Sequence, residues 1–505
     1  MAAPVSQLER ERKYELGAGG QVPILAGAGA VARQEGPVEQ LLDATYFDTT
    51  DYRLARAGIT LRRRTGGDDA GWHLKLPVSS DTREELHVPL RRNNPSKVPG
   101  RLARLVTAYT AGSRLVPIAH LKTDRFSYRL ADADGRVLAT LTDDHVTGEA
   151  GGAVAHIDSW RELEVELEAD AEPRLLDDLD RALVPSGASA SKYPSKMRRL
   201  VGELVPKRKP VKVGKNPDAG TVVLAYLREQ FDHLRRNDIG VRRDADDAVH
   251  QMRVASRRLR GAFRTFKKII DVPESLAAEL KWLAGELGPA RDTEVMAATL
   301  NKQLDGLPPE FVLGRVRQLL VRHFSREGEE ARTRAVEALN SKRYLALLSS
   351  LDDVLDAPPL TKRARRPARK ELRKAVRKAG CKLARAEAAT HGASDRDPSD
   401  LDVALHETRK KAKRARYAAD AVKPVLGKKL GKWRKKVKAV QGTLGEHQDT
   451  VVTRETLYRL GIGAFRDGDN SFTYGLLHGC NTELAHEKQR EFRAQWAKLP
   501  ALPKS

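Results

Sequence analysis

The sequence predicts an α+β chain of two domains, an N-terminal antiparallel β tunnel or barrel with flanking helices followed by an all-α domain built on a duplicated helix. Three observations carry this expectation. A chain of 505 residues exceeds what one hydrophobic core usually serves. Short strand-like segments bounded by turn signals run to about residue 200, among them ERERKYEL, ITLRRRTGG, GWHLKLPV, REELHVPL, KTDRFSYRL, VLATLTDD and WRELEVELE. From about residue 219 the text changes to long segments of helical period, broken at Pro273, at Pro308 with Pro309, and at Pro358 with Pro359.

The strands separate charge from hydrophobe with period 2. WRELEVELE puts Glu162, Glu164, Glu166 and Glu168 on one face and Leu163, Val165 and Leu167 on the other. ERERKYEL aligns Glu9, Glu11 and Lys13, ITLRRR aligns Thr60, Arg62 and Arg64, and WHLKLP aligns His73 and Lys75 between apolar neighbours. If the apolar faces pack outward under helices, the charged faces converge inside a barrel, an acidic patch against a basic one. Such an interior suits a metal-bound triphosphate, because Mg²⁺ or Mn²⁺ takes carboxylate oxygens while the phosphates take Arg and Lys.

Between the halves, VPKRKPVKVGKNPDAG is rich in Pro, Gly and Lys and lacks apolar periodicity, which places a basic linker at 205–218. The fragments GAGG and GAGA near the N-terminus lack the strand–GxGxxG–helix context of a nucleotide-binding turn.

The helical half repeats itself. HQMRVASRRLRGAFRTFK from His250 aligns without gaps on HETRKKAKRARYAADAVK from His406. His250, Arg253, Arg257, Arg258, Arg260 and Lys267 match His406, Arg409, Lys413, Arg414, Arg416 and Lys423. A second block follows each copy, LGPARD ending at Asp292 and LGEHQD ending at Asp449, so a whole helical module is duplicated. His250, Arg253, Arg257, Arg260 and Arg264 fall on one stripe, with Met252, Ala255, Leu259, Phe263 and Phe266 opposite. Like charges at these spacings cost about 0.2–0.5 kcal/mol per pair, where alternating signs would gain as much. An external polyanion is the expected source of the missing negative charge, held by Arg forks and Lys point charges. A further basic stretch at 365–385 sets Arg366, Lys370, Arg373 and Arg377 opposite Leu372, Val376 and Leu383.

Composition agrees with a polyanion partner. The formal charge is +23, the pI near 9.9 and the mean hydropathy −0.52. No run of about 18 apolar residues occurs, and MAAPVSQLERERKYEL turns charged before a hydrophobic stretch can form, so neither a membrane span nor a signal peptide is expected. Cys381 and Cys480 stand alone, which supports no disulfide framework or zinc site and fits a reducing cytoplasm.

The duplicated pattern, HxxRxxxRRxR at 250–260 and HxxRxxxKRxR at 406–416 with the two LGxxxD blocks, resembles the conserved-histidine α-helical (CHAD) domain. That resemblance implies two pseudo-symmetric four-helix units around a basic cavity for inorganic polyphosphate over 219–495, and it makes polyphosphate granules a place for the protein. Arg264 faces Asp420 in the alignment, so the two faces differ at their ends.

The ExExK of Glu9, Glu11 and Lys13 resembles the opening of the CYTH, or triphosphate tunnel metalloenzyme, family, here over 1–204. The resemblance implies metal ligands at Glu9, Glu11, Glu164 and Glu166, with Glu162 a rival because either register of the alternation is open. It implies phosphate-binding cations at Arg62, Arg64, Lys75, Arg125 and Lys192, with Lys13 nearby in the catalytic set. SKYPSKM offers both Lys192 and Lys196, and Lys192 is preferred because it follows Ser191 in a family-like Ser–Lys pair. Asp143 in LTDD is a second catalytic candidate, near the metal or the attacking water, and His73 an orienting residue.

The expected function is metal-dependent hydrolysis of inorganic triphosphate, or a related triphosphate, beside a polyphosphate-binding module. The rivals are a non-catalytic polyphosphate adaptor, a CYTH-type adenylate cyclase and a thiamine triphosphatase. Nucleic acid is disfavoured as partner, since the basic segments carry few aromatic side chains and no known DNA- or RNA-binding motif.

Overall fold

Strands with one charged and one apolar face leave two choices, charge toward water or charge toward a shared interior. Here they close into a ring. The strands are β1 (Val5–Glu15), β2 (Arg33–Asp48), β3 (Thr60–Thr65), β4 (Gly71–Pro77), β5 (Thr82–Pro89), β6 (Val116–Ala131), β7 (Val137–Ala150), β8 (His156–Leu167) and β9 (Ser189–Ala190). In this computed structural model they form one sheet in the order β5-β4-β3-β2-β6-β7-β8-β1-β9, and β1 also pairs with β5. That extra pairing, Val5 to Arg10 against His87 to Thr82, closes the ring and leaves β9 as a short addition beside β1. All pairings are antiparallel.

The structure describes residues 5–17, 19–79, 81–90, 97–151, 156–206, 211–393 and 398–502. Two compact units emerge, 1–209 and 210–505. Of the linker expected at 205–218, residues 207–210 lie outside the described residues.

Register decides what the ring's two faces carry. Tyr14, Leu141, Leu163, Val165 and Leu167 point outward and pack with Leu175, Leu176, Leu179 and Leu183 of the helix Leu175–Leu183. The apolar stripe of that helix thus covers the apolar face of β1, β7 and β8. At one end the interior parity also turns apolar, with Leu121, Val146 and Trp160 gathered around Met197, Leu200 and Val201 of the short helix Lys196–Val201. Ser195 caps this helix by accepting from the Arg198 N–H at 3.1 Å. Gly148 makes room for it, since a Cβ there would sit 2.9 Å from Leu200.

The second unit is helical. The basic helices Ala248–Thr265 and Pro398–Ala421 occupy matching places, each preceded by one long helix, Ala219–Arg242 and Ala368–Ala393. The starts of those preceding helices are joined reciprocally, Ala219 N–H to the Arg366 carbonyl at 2.9 Å and Ala368 N–H to the Pro217 carbonyl at 3.0 Å. After each basic helix the copies differ. The second continues through Leu444 as one helix, Lys423–Arg466, with a break in helical geometry at Gly427 (φ 73°). The first is split into Glu274–Glu286 and Gly288–Asp305 at Leu287, where Pro273 and Pro289 mark the two helix starts. Met252, Ala255, Leu259, Phe263 and Phe266 are buried, as the stripe pattern requires. Among the described residues no helix is long and apolar enough to cross a membrane.

Candidate functional site

Cross-strand register brings the charged faces together inside the ring. Asp144 on β7 stands opposite both Arg125 on β6 and Glu162 on β8. Glu164 stands opposite Lys13, and Glu166 opposite Glu11. Lys75 on β4 stands opposite Glu85 on β5 and Thr60 on β3, while Arg62 faces Tyr46 and His73. Residues directly opposite share a face, so these side chains line one cavity.

Two clusters result. In the first, Asp144, Glu162 and Glu164 offer carboxylate oxygens that lie within 4.8 Å of one another. The Lys196 ammonium stands among them, 2.8, 2.7 and 2.6 Å from Asp144, Glu162 and Glu164. Burial disfavours an ammonium, yet these three carboxylates hold Lys196 well above the usual lysine range. Arg125 completes the cluster with a two-pronged bond to Asp144, both arms at 2.7 Å, and a contact to Glu164 at 3.3 Å. Although burial opposes it, Lys13, Lys196 and Arg125 keep the Glu164 carboxyl well below its ordinary value.

The second cluster centres on Lys75, which contacts Glu9 and lies 3.8 Å from Glu85. Burial and a hydrogen bond with Glu85 push the Glu9 carboxyl up to about 8. His73 Nδ1 lies 2.8 Å from Glu85 and its Nε2 3.0 Å from the Asp69 carbonyl, which fixes the ring in place. Glu11 sits between the clusters, 3.2 Å from Lys13 and 3.3 Å from Arg83. The basic wall is Arg62, Arg64 and Arg125, with Arg64 pushed down to about 9 by burial and by its two neighbours. The space enclosed is about 120 Å³, and Tyr46 is the one aromatic side chain among the described residues that line it.

In the helical unit the basic helices pack on each other, Gly261 against Tyr417. Arg253 donates to the Gly288 carbonyl at 3.0 Å and to Asp292 at 2.8 Å. His406 Nδ1 contacts Gln448, and Arg416 lies over the Tyr417 ring at 4.9 Å. Among the described residues, Arg257, Arg260, Arg409, Lys413 and Arg414 have no hydrogen-bonded or salt-bridged carboxylate. They repel one another, with Asp449 an unbonded counter-charge for Arg409 and Lys413. Burial, Arg409 and Arg257 push Lys413 down to about 7, and burial with Arg264, Arg257 and Arg414 lowers Arg260.

Comparison with known proteins gives these two sites a family. The CYTH domain matches residues 7–201 and the CHAD domain residues 225–458. The uncharacterized protein Rv2226 of Mycobacterium tuberculosis is 38% identical over 512 residues, covering 98% of this chain and 97% of the relative. The chain belongs to the proteins in which a CYTH domain precedes a CHAD domain. Among solved structures, PptA from Streptomyces chartreusis is similar at 21% identity, 55% of this chain, 99% of that one and TM-score 0.47. The CHAD domain of the plant Ricinus communis is similar at 24% identity, 59% and 97% coverage and TM-score 0.46. CYTH domains include triphosphatases and cyclases and depend on metal, and CHAD domains are associated with polyphosphate.

Within the CYTH domain, the ring gathers Glu9, Glu11, Lys13, Arg62, Arg64, Lys75, Arg125, Glu162, Glu164 and Glu166 at its interior. Two expected residues are elsewhere. Asp143 faces outward, bonded at 2.8 Å by both arms of Arg161, because a one-residue step along a strand reverses the face. Its neighbour Asp144 takes the interior place. Lys192 is exposed, whereas Lys196 opens the buried end helix and points into the first cluster. Glu85 also belongs to the interior, and only the pairing of β5 with β1 and β4 reveals which of Glu84 and Glu85 does. In the CHAD domain Arg258, one of the expected polyanion-binding cations, bonds Gln230 of the preceding helix at 3.2 Å. Arg366 lies 3.8 Å from Glu371, while Leu372, Val376 and Leu383 are buried as expected.

Proposed function

We propose that the CYTH domain is a metal-dependent hydrolase of inorganic triphosphate, or of a closely related triphosphate, and that the CHAD domain binds inorganic polyphosphate. The observation that carries the first part is the convergence of Asp144, Glu162 and Glu164, bridged by Arg125, with Arg62 and Arg64 in one closed ring. Hard carboxylate oxygens at this spacing suit Mg²⁺ or Mn²⁺, and the place is already one where a cation, the Lys196 ammonium, is stable.

A divalent ion held there would offset phosphate charge as water attacks the terminal phosphorus. The chain's own residues do the rest. Arg62, Arg64 and Arg125 receive the non-bridging oxygens, Lys75 and Lys13 hold the remaining phosphates, and His73 steadies Glu85 behind Lys75. Water supplies the oxygen, a ring carboxylate takes its proton, the terminal P–O bond breaks, and phosphate and pyrophosphate leave. A lining that, among the described residues, is charged apart from Gln7, Thr60, Ser195 and the single aromatic Tyr46, around a space of about 120 Å³, supports an inorganic substrate over one with an organic base. Turnover measured on inorganic triphosphate, long polyphosphate, ATP and thiamine triphosphate tests this, with inorganic triphosphate expected to give the highest kcat/KM. Faster turnover of ATP or thiamine triphosphate would refute it.

For the CHAD domain, the unpaired cations of the two packed helices support the polyphosphate reading. We propose that 205–218 links the two domains.

A further inference from the structure

The helix Ala368–Ala393 carries a second line of cations away from the duplicated stripe. Arg369, Arg373 and Arg377 stand four residues apart, so they climb one side of the helix at about 6 Å intervals. Among the described residues none of the three has a carboxylate partner. Glu371, the acid within this stretch, is taken up by Arg363 at 3.2 Å and Lys374 at 3.3 Å.

Beside this line lies a trough of about 1110 Å³, lined also by Trp433, Trp496 and Leu383. Trp433 is 3% exposed and forms its depth, while Trp496 is half-buried. The segment from Leu499 to Leu502 bounds it, and Leu502 presses so closely on Gly380 that a Cβ there would clash with it. The size is at the upper end of small-molecule sites, which run to about 1,000 Å³.

A half-buried indole beside unpaired guanidiniums selects a ligand with a flat body and several negative charges. An inorganic phosphate chain would leave the apolar walls unused. A fatty acid would satisfy one guanidinium and leave two. A nucleic-acid strand needs an open path, and the C-terminal segment bounds this one. We propose that the trough binds a nucleoside polyphosphate, its base against Trp496 above the floor made by Trp433 and its phosphates along Arg369, Arg373 and Arg377.

The test is photolabelling of the full chain with 8-azido-ATP, with ATP, inorganic triphosphate or lauroyl phosphate added separately as protectant. Label is expected on peptides containing Trp433 or Trp496, with protection by ATP at least tenfold better than by inorganic triphosphate or lauroyl phosphate. Arg373→Glu with Arg377→Glu should reduce that label at least tenfold, and Trp496→Ala should do so without altering the charge. Label confined to residues 1–209 or to the two basic helices, or equal protection by inorganic triphosphate, would overturn the proposal. Should the charge-reversal variant not fold, the wild-type peptide map and protection order decide alone.

Discussion

Lys196 is the side chain on which the first carboxylate cluster converges, and its ammonium contacts Asp144, Glu162 and Glu164 at the cavity wall. Removing it leaves three buried carboxylates short of a cation, at a cost of about 3–5 kcal/mol for a broken buried pair. Lys196→Ala should therefore lower Tm and change the metal dependence of phosphate release, while Lys192→Ala should leave both unchanged. Differential scanning calorimetry with a metal titration checks this. A parallel contrast separates the adjacent aspartates. Asp144→Asn is expected to lower phosphate release about 10²-fold, whereas Asp143→Asn should cost about 1.5–3 kcal/mol of stability through its Arg161 bond and leave kcat within a few-fold. Equal losses of activity in the two variants would show that the face assignment is wrong. The alternation in WRELEVELE was readable from sequence because seven residues, Glu162 to Glu168, carry an apolar side chain at every second place. LTDD is too short to show which aspartate faces in, and SKYPSKM shows a choice of lysines without the packing of Met197 and Leu200 that selects Lys196.

At the scale of elements, the paired basic helices hold like charges together, and among the described residues Asp292 and Asp449 offset them only in part. Lys413 is the most sensitive reporter, held down to about 7 by burial, Arg409 and Arg257. A bound polyanion raises that pKa. Below pH 7 both free and bound protein carry the proton, so affinity is flat with pH. Above pH 7 the free protein has lost it and the complex still holds it, so binding takes up a proton and affinity falls as pH rises. Calorimetry of polyphosphate binding in buffers of different ionisation enthalpy, from pH 6 to 9, should show this uptake, and Lys413→Gln should abolish it. Relief of repulsion gives a second expectation. Arg257→Gln should raise Tm by about 1–3 °C while weakening polyphosphate binding. A fall in Tm would mean that Arg257 acts mainly through packing. The helices themselves were legible because the repeat fixes both register and buried face. The split of the first copy at Leu287, against one continuous helix through Leu444, was not, since both copies keep the same LG block.

At the scale of the whole molecule, two compact units use opposite strategies for the same chemistry. The ring balances its interior cations with interior carboxylates, and the helical unit leaves its seam positive. Closure of the ring rests on β1 pairing with β5, a contact between segments some 70 residues apart that no local pattern announces. The net charge of +23 predicts that polyphosphate binding weakens steeply with salt, log affinity falling linearly with log salt concentration. Triphosphate turnover should depend less on salt, because its cations are enclosed. The central claim is that the ring is a catalytic site and not a passive seat for phosphate. Its most direct test is phosphate release from inorganic triphosphate with Mg²⁺ or Mn²⁺, comparing wild type with Asp144→Asn/Glu164→Gln at matched protein concentration. Release at least about 10²-fold faster in the wild type, and lost with chelator, is the expected result. Equal rates for the two proteins would contradict it.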